Sequence, residues 1–187
     1  MEGIFFILIG GALFSQAWYI LGLYSDGRTM AVFVGGLGLL TLATIVFAPM
    51  LVTGESSGGA LDVADHLAEL TVMKSLIIVW ALYGVGVATH GLWDFDERAI
   101  GFYSAFLSVI SLVSFLYFAT ELQQRYTDAV WLGMSGASLA LVVVAGIMFF
   151  YLAFAYQNLR LVAGWFALLG GGVISIIGLA MASTAVA

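Results

Sequence analysis

The sequence predicts an all-α membrane protein: six transmembrane helices arranged as three repeated helical hairpins. Three observations predict it. The chain of 187 residues is 63% hydrophobic and 9% charged, with a mean hydropathy of +1.13, more apolar surface than a water-soluble domain of that length can hide. Its apolar stretches are continuous and long enough to cross a hydrocarbon core about 30 Å thick, which takes roughly 20 residues. Finally, one pattern recurs at three breaks between those stretches: Asp26, Arg28, Ala31, Phe33; then Asp96, Arg98, Gly101, Tyr103; then Asn158, Arg160, Ala163, Trp165. A membrane β-barrel would instead show segments of about 10 residues alternating apolar and polar.

The first span covers about residues 3–24 and holds Ser15 and Gln16 at membrane depth. It follows Glu2 rather than a basic stretch and is long for a cleavable signal, so it is expected to stay in the protein. The second, about 29–52, contains Thr41, Thr44 and the only proline, Pro49, whose missing N–H is expected to kink or end the helix there. The longest loop follows. Gly54-Glu-Ser-Ser-Gly-Gly reads as flexible, and apolar residues at 61, 64, 67, 68 and 70 predict a short amphipathic helix lying at the outer interface. The third span, about 71–93, ends with Thr89 and His90; the fourth, about 99–120, carries Ser104, Ser108, Ser111 and Ser114 on one face; the fifth, about 129–156, carries Ser135 and Ser138; the sixth, about 161–186, carries Ser175. Residues 1–187 thus read as a single six-helix transmembrane domain without room for a soluble catalytic module.

Each part of the recurring pattern has a physical reason. Asp or Asn caps the second helix of a hairpin, the Arg can snorkel to headgroups, the small residue lets helices approach, and the aromatic suits the interfacial belt. The pattern can serve the hairpin alone, or it can also mark repeats arranged about a pseudo-symmetry axis with a pathway between them. Paired glycines such as Gly10-Gly11 and Gly35-Gly36 read as packing grooves or as widenings of a pore. The serine stripe reads as hydroxyls bonded to their own helix or gluing helices, or as a polar wall beside a path.

Three of the five basic residues, Arg28, Arg98 and Arg160, occupy the pattern turns, against Lys74 and Arg125 elsewhere. The excess places those turns in the cytoplasm and both termini outside. The net charge of −6 argues against nucleic acid and against anionic lipid surfaces as partners. There is no cysteine, which excludes disulfides and thiolate metal sites. No phosphate loop, nucleophile elbow or metal helix is present, so no enzyme activity, metal or cofactor is expected.

No Asp, Glu, Lys or Arg lies mid-span. Ions need fixed charges or carbonyl rings to cross, whereas a small neutral polar solute needs a narrow opening and a few hydrogen-bond partners. Gln16, donor and acceptor at once, is the best single candidate. Aromatics offered for the constriction are Trp80, Tyr83, Phe150, Tyr151 and Phe154. His66 and His90 are 24 residues apart, roughly 36 Å along a helix, too far to share a haem or metal. His66, beside Asp62, Asp65 and Glu69, is a candidate proton sensor or an ordinary solvated face; His90 is expected to hydrogen-bond in the second turn.

The stretches Gly10-Gly-Ala-Leu-Phe14, Met30-Ala-Val-Phe-Val-Gly-Gly36, Leu82-Tyr83 to His90, and Gly101-Phe-Tyr103 resemble the urea and short-chain amide channel family, UreI/AmiS, and the third hairpin, from Phe154 to Trp165, resembles it more loosely. The resemblance covers nearly the whole chain. It implies a pore through each protomer, a homo-hexameric ring in a bacterial inner membrane, and passive conduction of urea or small neutral amides, sometimes opened by external acid. It implies that Gln16 stands for the family's first-helix Asn. It also exposes departures: the acid-gated channel's last-helix glutamate falls near Gly170-Gly-Gly-Val-Ile174, its fifth-helix tryptophans correspond to Gly146 and Phe150, and a third-helix tyrosine corresponds to Gly84, next to Tyr83.

The expected pore lining is therefore Leu13, Gln16, Trp80, Tyr83, Gly84, Phe150 and Phe154, with Asp62, Asp65, His66 and Glu69 as pH-sensing candidates. The leading function is a passive channel for a small neutral solute in the lipid bilayer. A proton-coupled carrier of short-chain acids and a non-transporting subunit of a membrane complex are the alternatives; the lack of a buried charge counts against the carrier.

Overall fold

A computed structural model describes the backbone of residues 2–23, 26–51, 60–121 and 128–184, and the side chains of residues 3–23, 26–45, 71–121 and 131–183. Among the described residues there are six α-helices and no strand: α1 (Glu2–Leu21), α2 (Gly27–Leu51), α3 (Ala60–Trp93), α4 (Glu97–Glu121), α5 (Asp128–Ala153) and α6 (Arg160–Thr184). Each contains a stretch long and apolar enough to cross a membrane. With no water in the hydrocarbon to satisfy free N–H and C=O groups, helices bonded within themselves are the natural outcome for such a sequence. The protein is an integral membrane protein.

The turns follow from local chemistry. Asp26 caps α2, its carboxylate accepting the backbone N–H of Thr29 at 3.1 Å. Asp96 caps α4, accepting the N–H of Arg98 at 3.0 Å. α1 closes with Gly22 at φ +73°, its N–H donating to the Tyr19 carbonyl while that of Leu23 reaches Trp18, both at 3.0 Å, a Schellman ending. α3 closes with Asp94 at φ +54° and its N–H on the His90 carbonyl at 2.8 Å.

The third turn departs from the other two. A 3₁₀ turn, Gln157–Leu159, absorbs Asn158, and no side chain caps it. Arg160, expected to snorkel to headgroups, donates its Nε to the carbonyl of Ile20 at 2.7 Å. A free carbonyl at the negative end of α1 attracts a cation more specifically than a headgroup does. The predicted surface helix at 61–70 is also corrected: it continues without a break into the third span as the first turns of α3. No glycine or proline occurs from Ala60 to Tyr83, so nothing ends the hydrogen-bond ladder at the junction. α2 carries Pro49 in its last turn and ends at Leu51.

The helices form a closed ring in chain order, α6 returning to α1. The most extensive contacts join α1 to α6, α2 to α3 and α4 to α5; contacts within each hairpin are sparser. Small residues explain the tight pairs. A Cβ on Gly171 would come 2.6 Å from the Gly10 carbonyl oxygen across α1 and α6; one on Gly38 would come 2.8 Å from the Ala81 oxygen across α2 and α3; one on Gly101 would come 2.8 Å from the Leu152 carbonyl carbon across α4 and α5. Ala31 and Ala163, the matching small residues of the other two turns, are also buried. In lipid such close backbone approach, rather than burial of apolar area from water, holds helices together.

Candidate functional site

The inward face of α1 carries Ile9, Leu13, Gln16 and Ile20, all buried, at the spacing of one helix side. Gln16 is the polar member. Its Nε2 donates to the Tyr83 hydroxyl at 3.0 Å, and that hydroxyl donates to its Oε1 at 3.2 Å. Both amide atoms are thus satisfied by one residue of α3, as burial requires. One turn earlier, Trp80 meets the Tyr83 ring edge to face, centroids 5.5 Å apart, and its indole N–H donates to Ser111 Oγ of α4 at 3.0 Å. Three hydrogen bonds therefore tie α3 to α1 and α4 at depth.

Gln16 lies between two cavities. On the side away from the pattern turns, a space of about 10 Å³ is lined by Leu13, Gln16, Thr41, Trp80, Tyr83 and Gly84, among others. That is about the least that admits one water. On the turn side, a chamber of about 40 Å³ is lined by Gln16, Tyr19, Met30, His90, Glu97 and Tyr151, among others; five helices contribute to it. The middle of the bundle is packed shut by side chains such as Phe6, Leu13, Ile77, Leu107 and Leu141. Among the described residues, the buried polar side chains are all uncharged: Gln16, Thr41 and five serines.

The sequence candidates divide into three groups. Leu13, Gln16, Trp80, Tyr83 and Gly84 come together around one cavity. Phe150 and Phe154 do not. They are 50% and 49% exposed, in an outward aromatic cluster with Phe149 and Tyr156. Placing them at a constriction is corrected: α5 turns its Ala145 and Met148 side inward. Asp62, Asp65, His66 and Glu69 have side chains outside the described residues.

The serine stripe is mostly structural glue. Ser104 and Ser114 bond the carbonyls of Ile100 and Ile110, each at 2.9 Å, and Ser108 reaches across to the Val142 carbonyl of α5 at 3.2 Å. Gly84 packs against α2, where a Cβ would come 3.2 Å from the Val34 oxygen. His90 bonds within its turn as expected, Nδ1 to the Phe95 carbonyl, and its Nε2 lies 3.3 Å from Glu97 Oε1. Sequence reasoning missed Glu97, Tyr19 and the chamber they share with His90. Glu97 belongs to the second turn pattern itself, between Asp96 and Arg98, but nothing local shows that it faces the bundle axis.

No family model matches the chain, and no curated protein does. Among solved structures, the fold is similar to that of the Helicobacter pylori urea channel, determined by cryo-electron microscopy in a closed state, with a TM-score of 0.68 over 91% of each chain at 17% identity.

Proposed function

We propose that this protein is a passive channel for urea or a small neutral amide. The observation that carries the reading is the Gln16–Tyr83 pair, buried in the bundle, with Gln16 lining a cavity on either side and no charged side chain lining the one away from the pattern turns. To pass, a solute must exchange its hydrogen bonds to water for bonds to this pair. For a neutral amide that exchange is nearly even, since the net value of one such bond is about 1 kcal/mol. For an ion the penalty is much larger, and the cavity that Gln16 shares with Trp80 and Tyr83 has no charged side chain in its lining. The fold shared with a urea channel supports the same reading.

The proposal includes the finer features that the sequence resemblance implies: a homo-hexameric ring with a pore in each protomer, an inner-membrane location with the pattern turns in the cytoplasm, and at most weak modulation by external pH, through His66. Stopped-flow light scattering on proteoliposomes tests conduction. Urea, formamide or acetamide should enter far faster than into protein-free vesicles. Permeation equal to that of empty vesicles for all three, at neutral and acid pH, ends the proposal.

A further inference from the structure

Among the described residues, α3 and α4 are the least extensively packed neighbours in the ring, and the gap between them opens sideways. A groove of about 320 Å³ runs along it at the turn end, within the range of roughly 300–1,000 Å³ usual for ligand clefts. Small residues keep it open. Gly86 lines one wall, where a Cβ would meet nothing within 4 Å, and Ala99 lines the other. Tyr103 pins the two helices together beyond the deep end, its hydroxyl donating to the Val79 carbonyl at 2.9 Å. From Leu82 to Thr89 the groove follows α3 for about 10 Å at 1.5 Å per residue. That is two thirds of the roughly 15 Å that one leaflet contributes to the hydrocarbon.

The lining changes character along that length. At depth it consists of Leu82, Ile100 and the rings of Tyr83 and Tyr103; at the turn it consists of Thr89, Phe95 and Asp96. Asp96 is the charged member. One of its oxygens accepts the N–H of Arg98, and the carboxylate keeps further lone pairs free. Arg98, two residues on, is exposed. Among the described residues the ion pair is that of His90 with Glu97, so neither Asp96 nor Arg98 has a countercharge there. An apolar slot with an anion and a cation at its membrane-surface end matches a phospholipid whose headgroup carries an ammonium and a phosphate. A primary ammonium donates hydrogen bonds to a carboxylate, and such charge-assisted bonds are the strong ones; a trimethylammonium has no N–H to donate. A neighbouring helix matches less well. With side chains it is about 10–12 Å across and would rest on the exposed Leu82 and Phe95, leaving the floor at Gly86 unfilled.

We propose that the α3–α4 groove seats one acyl chain of a phosphatidylethanolamine-type lipid, with its ammonium on Asp96 and its phosphate beside Arg98. Tyr83 lines both this groove and the cavity at Gln16, so the seated chain packs behind the ring whose hydroxyl bonds to Gln16. The site is read by binding rather than by flux, and so stands or falls apart from the channel reading.

Native mass spectrometry of the intact protein tests this, with phosphatidylethanolamine and phosphatidylcholine of identical acyl chains supplied at equal concentration. The wild type should retain the ethanolamine lipid over the choline lipid by at least about threefold, the share of one partly exposed ion pair. In Asp96→Asn, which keeps a good helix cap, that ratio should fall towards one. Gly86→Phe, which puts a ring into the open floor, should lose the retained lipid while keeping its melting temperature. Equal retention of the two lipids by the wild type overturns the site. So does an unchanged ratio in Asp96→Asn, or full retention by a folded Gly86→Phe protein. If Gly86→Phe alters the number of chains in the assembly and not the bound lipid, a second copy fills the groove and the lipid assignment is wrong. Should Gly86→Phe fail to fold, Ala99→Leu on the opposite, exposed wall decides by the same loss or retention of lipid.

Discussion

At the scale of single residues, the informative groups are polar ones whose partners lie far away in sequence. Gln16 and Tyr83 are 67 positions apart, yet each satisfies the other. Replacing Gln16 with Leu removes both the solute's exchange partner and the partner of a buried hydroxyl. We expect amide flux to fall about tenfold, the equivalent of about 1.4 kcal/mol on the barrier, while the protein still assembles; unchanged flux would take Gln16 out of the pathway. A contrast within the serines is a second test. Ser111 accepts the Trp80 indole N–H, so Ser111→Ala strands a buried donor and should cost about 1–3 kcal/mol. Ser138 is fully buried and its hydroxyl has no partner, so Ser138→Ala should be neutral or stabilising. Thermal unfolding in detergent separates the two, and equal losses would contradict this account. The identity of Gln16 as a key polar group was legible from sequence, because it is a lone amide in an apolar span. Tyr83 was among the residues expected to line the path, but its pairing with Gln16 was not legible, because it is one of 27 aromatics in the chain, counting 14 Phe, 8 Tyr and 5 Trp, and nothing local says which of them reaches that amide.

At the scale of helices, the bundle depends on a few close approaches. Gly171 touches the backbone of α1 near Gly10, while its neighbour Gly172 has no foreign atom within 4 Å of a would-be Cβ. Gly171→Val should therefore force α1 and α6 apart, at a cost of about 1–3 kcal/mol or more, and Gly172→Ala should leave the protomer intact. Size-exclusion profiles and melting temperatures of the two proteins check this; a Gly171→Val protein as stable as wild type would refute the packing argument. The helix ends were readable where one side chain acts on its own turn, as with Asp26 and Asp96. They were misread where a distant group intervened. Arg160 bonds to Ile20, 140 positions away, and the residues from Leu61 to Leu70 extend α3 because no breaker stops them. Their alternating character made an interfacial helix plausible, but amphipathicity says which face is apolar and not where the helix stops.

At the scale of the whole molecule, the three turns that share one pattern lie at one end of a six-membered ring, and the strongest packing joins different hairpins rather than the two helices of one. If the turns face the cytoplasm, a cysteine introduced at Asp94 in this cysteine-free chain should resist a membrane-impermeant maleimide in intact cells, and one at Ser57 should react. The reverse pattern would invert the orientation and put the His90–Glu97 chamber at the outer mouth.

The sequence by itself determined that this chain lives in a membrane, where its spans run, that two of its three pattern turns are capped by Asp, and that no charged residue lies mid-span. These are local properties, fixed by hydropathy along a segment and by side chains reaching their own backbone. Only the tertiary structure decided that Leu13, Gln16, Trp80, Tyr83 and Gly84 converge while Phe150 and Phe154 point away, and that Glu97 shares a chamber with His90. The reason is the solvent. In water a helix shows its buried side by being apolar there and polar elsewhere. In lipid the outer face is as apolar as the core, so the inward direction of each helix is set by which small residues let a neighbour approach, and that is a property of pairs of helices rather than of any one stretch of sequence.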